Sequence, residues 1–107
     1  MPRAIALDPR DNVATVLEPT RPSDVVRVTG ARTDEVVAAE EIPFGFKIAL
    51  RSIHAGDLVI KYGETIGRAT QDIPRGALAH IHNVAGTRGR GDLAAEGVSS
   101  ATKEVAR

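Results

Sequence analysis

Two histidines spaced two residues apart, His80 and His82, form the pattern in this 107-residue sequence that bears most directly on chemistry. On an extended strand, positions i and i+2 project from one face, so both imidazoles converge on a single ligand. Such a pair supplies two of the three or four protein ligands of a metal, or a proton donor beside an anion clamp. The plain alternative is two half-exposed histidines at a strand end. Asn83 follows them and points to the opposite face of a regular strand. It reaches the same ligand only where the chain ends or bulges. His54, in the turn Ile53–Gly56, reads as a solvated turn residue.

The cations Lys47, Lys61, Arg68, Arg88 and Arg90 are candidates for holding a carboxylate, since guanidinium forks and ammonium groups match its charge and geometry. Taken singly, each also reads as ordinary solvated surface. Gly89-Arg-Gly91 has neither a strand before it nor a helix after it, so it is no phosphate loop. No Ser/His/Asp order and no paired-carboxylate arrangement stands out.

Composition removes several classes of function. Cysteine is absent, which excludes disulfides, thiolate nucleophiles and Cys-based zinc or iron–sulfur sites. Fourteen basic and fourteen acidic residues balance, so no net field draws the chain to nucleic acid or an anionic membrane. With no Trp, one Tyr and two Phe, there is little to build a base-stacking platform. No run of 18 apolar residues is available for a transmembrane helix, and the N-terminal apolar run is too short for a signal peptide. These features predict a soluble cytoplasmic protein.

The candidate residues must be positioned by short elements. Residues 3–8 read as a strand, and Asp11 is placed to cap a short helix over 12–17 that Pro19 and Pro22 prevent from continuing. Residues 24–29, 35–38 and 46–51 read as strands. The stretch 58–69 reads as a hairpin turning at Tyr62-Gly63-Glu64, where glycine accepts a positive φ. Residues 78–84 read as the last strand, carrying the histidine pair. Ser52–Leu58 and Asp72–Leu78 share Ile-x-x-Gly-x-Leu, which predicts pseudo-symmetry inside one small barrel-like domain. The domain is expected over 1–84. From 85 to 107 the chain is a Gly-rich extension without an apolar face, expected to be flexible or bound to a partner.

Taken together, Ile42-Pro-Phe-Gly-Phe-Lys-Ile-Ala-Leu-Arg51, Val59-Ile-Lys-Tyr-Gly-Glu-Thr-Ile-Gly-Arg-Ala69 and His80-Ile-His-Asn-Val84 resemble the SAF (β-clip) domain of altronate and galactarate dehydratases. That domain also occurs as the small subunit of sulfolactate sulfo-lyase. Asp8-Pro-Arg-Asp-Asn-Val-Ala14 and Arg88-Gly-Arg-Gly-Asp-Leu93 fit the same pattern, so the resemblance covers most of residues 4–93. It implies an all-β fold, a β-clip of short strands. The full enzymes remove water from a hexonate or hexarate and use a divalent metal, Fe2+ or Mn2+. Here that metal would be held mainly by a large partner subunit.

On this resemblance, His80 and His82 become the acid, base or substrate contacts. Lys47, Lys61, Tyr62, Asn83 and Arg88 become sugar-acid contacts. Phe46 stands where the family has histidine, which leaves three readings: a relaxed substrate range, binding without catalysis, or a role moved to His80 or His82. A sulfo-lyase small subunit, a non-catalytic sugar-acid or protein-binding module and an independent two-histidine metal binder stay open beside the dehydratase reading. Self-association as a homo-oligomer also stays open.

Overall fold

The computed structural model describes residues 1–86. Its building block is one turn, used four times. In each copy an apolar or small residue is paired, a turn follows with a positive φ three residues on, and a strand begins just after it. The copies start at Thr20, Ile42, Ile53 and Ile73, and their positive-φ residues are Ser23, Gly45, Gly56 and Gly76 at 76°, 85°, 90° and 90°. The tight turns close through Asp24 N–H to Arg21 O, Phe46 to Pro43, Asp57 to His54 and Ala77 to Pro74, all within 2.9–3.1 Å. A positive φ at the third position of a hydrogen-bonded turn is the type II signature, which explains the glycines. The copies face each other in pairs, Thr20 with Ile42 and Ile53 with Ile73. The Ile-x-x-Gly-x-Leu echo is thus one of two facing pairs.

These turns launch short strands. In chain order they are β1 (Arg3–Ala6), β2 (Val13–Val16), β3 (Val25–Gly30), β4 (Asp34–Val37), β5 (Lys47–Ala49), β6 (Leu58–Lys61), β7 (Glu64–Ala69), β8 (Leu78–Ala79) and β9 (Val84–Gly86). Six of them form one sheet in the order β4-β3-β1-β2-β5-β8, and β6-β7-β9 form a second. All ladders are antiparallel except β1–β3. The fold is therefore all-β, with curled sheets, as expected. Among the described residues no helix is long and apolar enough to cross a membrane.

The helix expected over 12–17 is instead strand β2. Packing decides this. Ala14 and Val16 enter one core with Val26, Val28, Val36, Ile42 and Ile48, while Val13 enters another with Ile53, Val59 and Ile73. A strand sends neighbouring side chains to opposite faces, so β2 can feed two cores at once, which a helical turn cannot. β5 does the same, with Ile48 in the first core and Ala49 in the second. Each buried valine or isoleucine contributes about 1.5–3 kcal/mol of transfer free energy, well above the weak helical preference of so short a segment.

The strand expected over 78–84 ends at Ala79. A turn follows at His80–Asn83, closed by Asn83 N–H and Val84 N–H donating to His80 O at 3.0 and 2.9 Å. β9 then runs antiparallel to β7. The histidines therefore sit on a turn and not on one face of a strand.

Candidate functional site

The site is built around β5. Lys47 pairs with Thr15 on one side and with Ala79 on the other, which places its backbone between β2 and the end of β8. One step beyond the last ladder pair, the Phe46 ring meets the His80 imidazole with centroids 4.5 Å apart and planes tilted by 42°. Both residues are half-buried. The β6–β7 hairpin brings Lys61, whose Nζ lies 4.7 Å from the centre of the Tyr62 ring. Tyr62 holds a φ of 58°, in the left-handed region, and is 51% exposed.

The charges of this group are felt across it. Burial, and then the charge of Lys61, holds the Lys47 ammonium below its usual pKa. Burial, and then the charges of Lys47 and His82, holds the His80 imidazole below its usual value. Basic side chains from β5, β6 and the turn after β8 are thus linked in series, Lys61 to Lys47, Lys47 to His80 and His80 to His82. The Lys47 and Lys61 ammonium groups repel each other, and an anion bound between them relieves that repulsion, while Glu64 stands opposite Lys61 in the β6–β7 ladder. At neutral pH the depressed His80 is an uncharged imidazole, able to accept a proton.

The structure thus brings together Lys47, Lys61, Tyr62, His80 and His82 from the sequence-derived set. Asn83 has another position. It is 4% exposed beneath the turn, its Oδ1 accepting from His80 N–H and its Nδ2 donating to Leu78 O, both at 2.8 Å. Its amide is engaged at both ends by backbone and holds the histidine turn in shape. Arg88 lies outside the described residues, as does the Gly-rich extension expected over 85–107, except for Ala85 and Gly86, which belong to strand β9 and pair with β7. Arg68 turns elsewhere and donates to Gly56 O. His54 is exposed, 4.0 Å from Asp72.

Among the described residues no group of three His, Asp or Glu side chains is placed to hold a metal ion. His80 and His82 alone offer two imidazoles, and Lys47 and Lys61 beside them oppose a further cation. Among the described residues, these side chains by themselves fall short of the three or four ligands of a metal site.

Asp11, expected as a helix cap, and Asn12, expected as the start of that helix, instead hold the β6–β7 hairpin, a role the sequence reading did not assign. Each is 2% exposed. Their only sequence signal is a polar pair immediately before the apolar run of β2.

The sequence profile of the altronate/galactarate dehydratase SAF domain matches residues 2–87. The chain belongs to that SAF domain family. Altronate dehydratase of Bacillus subtilis (strain 168) is 35% identical over 79 residues, covering 74% of this chain but 15% of the relative. Galactarate dehydratase (L-threo-forming) of Escherichia coli (strain K12) is 41% identical over 68 residues, covering 63% of this chain and 12% of the relative. Subunit alpha of (2R)-sulfolactate sulfo-lyase from Paracoccus pantotrophus is 44% identical over 57 residues, 52% of this chain and 85% of the relative. This SAF domain therefore spans a small fraction of the dehydratases and most of the sulfo-lyase subunit. Its three resemblance-bearing segments, separated in sequence, are linked in the fold by the Phe46–His80 ring contact and by the charge couplings of Lys47 with Lys61 and with His80.

Proposed function

We propose that this SAF domain is the accessory subunit of a sugar-acid dehydratase, capturing the carboxylate of a polyhydroxy acid for a separate large catalytic subunit. The observation that carries the reading is the grouping of Lys47, Lys61, His80 and His82, in which the charge of Lys61 bears on Lys47 and the charges of Lys47 and His82 bear on His80. Lys47 and Lys61 would neutralise the carboxylate, and Arg88 would add a guanidinium to it. In dehydration of such an acid, a base removes the proton α to the carboxylate and an acid protonates the departing hydroxyl. His80, held neutral by burial and its cationic neighbours, suits the base or hydrogen-bonding role, and His82 suits the donor. Tyr62 is exposed beside Lys61 and would line the same surface. Any divalent metal would be held by the large subunit, and the assembly would work in the cytoplasm.

A second reading draws on one observation. This chain spans 85% of the length of the sulfo-lyase subunit alpha from Paracoccus pantotrophus. On that reading sulfite leaves in place of water, and the same cations hold the acid.

The test is turnover of hexonates, hexarates and sulfolactate by the large subunit with Fe2+, with and without this chain. A His80→Ala, His82→Ala double variant runs in parallel. A 2-keto-3-deoxy product formed only with the wild-type chain supports the dehydratase reading, and sulfite release supports the second. Equal turnover in every tube overturns both and leaves a binding module.

A further inference from the structure

The β6–β7 hairpin belongs to the smaller sheet, yet it carries Lys61 and Tyr62 to a site whose other members stand on or beside the larger one. Its place therefore needs a fastening. Among the described residues, Leu58–Gly63 makes four hydrogen bonds to the segment leading into β2, all of them to Asp11 and Asn12. Asn12 N–H donates to Ile60 O at 3.1 Å, and its Nδ2 donates to Leu58 O at 2.9 Å. Its Oδ1 accepts from Ile60 N–H at 2.7 Å. Asp11 Oδ1 accepts from Gly63 N–H at 2.8 Å.

The fastening falls where β6 needs it. The β6–β7 ladder slips between Val59 and Ile60, a bulge that breaks regular pairing, and the Asn12 amide satisfies backbone groups on both sides of that break. Asp11 holds the turn at the far end of the strand. On the other side, Leu50 N–H donates to Asn12 O at 2.9 Å, which ties the same residue to the end of β5. One residue thus joins the strand of Lys47 to the strand of Lys61. Both side chains are 2% exposed, so the links are sheltered from competing water. The second carboxylate oxygen of Asp11, Oδ2, is buried with no hydrogen-bond partner among the described residues.

We propose that Asp11 and Asn12 are positioning residues, setting the separation of Lys61 from Lys47 and so the anion site itself. The inference rests on the proposed role of that site, but its readout does not. The charge of Lys61 bears on Lys47, so the Lys47 ammonium titration, followed by NMR in the full chain, reports their spacing. Asp11→Ala removes the acceptor for Gly63, while Asp11→Asn keeps one, because an amide oxygen accepts equally.

Tartrate, a small polyhydroxy dicarboxylate, is the binding probe. In Asp11→Ala the Lys47 pKa moves up toward its ordinary value and tartrate binding weakens roughly fivefold, with wild-type behaviour restored in Asp11→Asn. If Asp11→Ala fails to fold, Asp11→Ser, whose shorter side chain cannot reach Gly63, is read the same way. A folded variant lacking the acceptor, with the Lys47 titration unchanged, overturns the inference. Wild-type protein that ignores tartrate counts against the proposed function alone, because the Lys47 titration still decides the positioning role.

Discussion

The ring of Phe46 lies against the imidazole of His80, 4.5 Å between centroids, across the end of the β5–β8 ladder. Where the family resemblance implies a histidine, this chain instead packs an apolar ring on an imidazole that is held below its usual pKa. Phe46 thereby contributes to the burial that is the largest cause of the shift. Phe46 adds no titrating group of its own and bears on the one at position 80.

Phe46→Ala is accordingly expected to raise the His80 pKa toward 6.5, since water reaching the imidazole favours its charged form. Histidine proton resonances followed through a pH titration give the answer. An unmoved His80 titration would show that other neighbours supply the burial.

Lys47→Gln is expected to raise the same pKa by a separate route, through loss of a neighbouring positive charge. The sign carries into stability. The His80 pKa is depressed in the folded protein, so its contribution is intact above 6.5 and is lost as pH falls from there through the folded value. Urea midpoints measured from pH 7.5 down to 5 should fall less steeply in Lys47→Gln than in wild type.

Asp8 predicts behaviour at lower pH. The Arg10 guanidinium, and then the Arg10 backbone N–H, lowers its carboxyl from 3.8 to about 2. Its stabilising contribution is present above 3.8 and is lost as pH falls from there through about 2. Arg10→Ala should return the Asp8 titration toward 3.8, read from carboxyl carbon shifts. A titration left near 2 would assign the effect to the backbone.

Gly56 and Gly76 occupy the same place in two copies of the repeated turn, both at a φ of 90°. A methyl group on Gly56 meets nothing within 4 Å, whereas one on Gly76 would collide with the Val37 carbonyl oxygen. Gly56→Ala should therefore cost about 1 kcal/mol, the left-handed penalty alone. Gly76→Ala should cost at least about 3 kcal/mol, because backbone must move as well. Equal costs by urea denaturation would mean that β4 yields freely at Val37.

Asn12→Ala tests the bulge. It strands Leu58 O and Ile60 N–H beside β6, with an expected loss of about 2–4 kcal/mol. A loss below about 1 kcal/mol would mean that water replaces the amide there.

Much of the fold was legible because local chemistry carried it. Alternation and β-branched residues placed β1, β3 and β4, and glycine marked the β6–β7 turn. The shared Ile-x-x-Gly-x-Leu exposed one of the two facing turn pairs. The other pair was hidden, since Thr20 and Ser23 stand where isoleucine and glycine stand elsewhere, and a short unit with those replacements leaves no visible repeat.

The sequence by itself determined the residue types, the all-β class and the three segments that resemble the SAF family. It also supplied Lys47, Lys61, His80 and His82 as candidates. Tertiary structure alone decided that 13–16 is a strand, because only two cores on opposite faces outweigh local helical preference. It alone placed the histidines on a turn, because Asn83 bonds back to Leu78 and His80 and ends the strand. The cation cluster is likewise a product of folding. Electrostatic coupling depends on distance through space, and β5, β6 and the turn after β8 are remote along the chain until the sheets close.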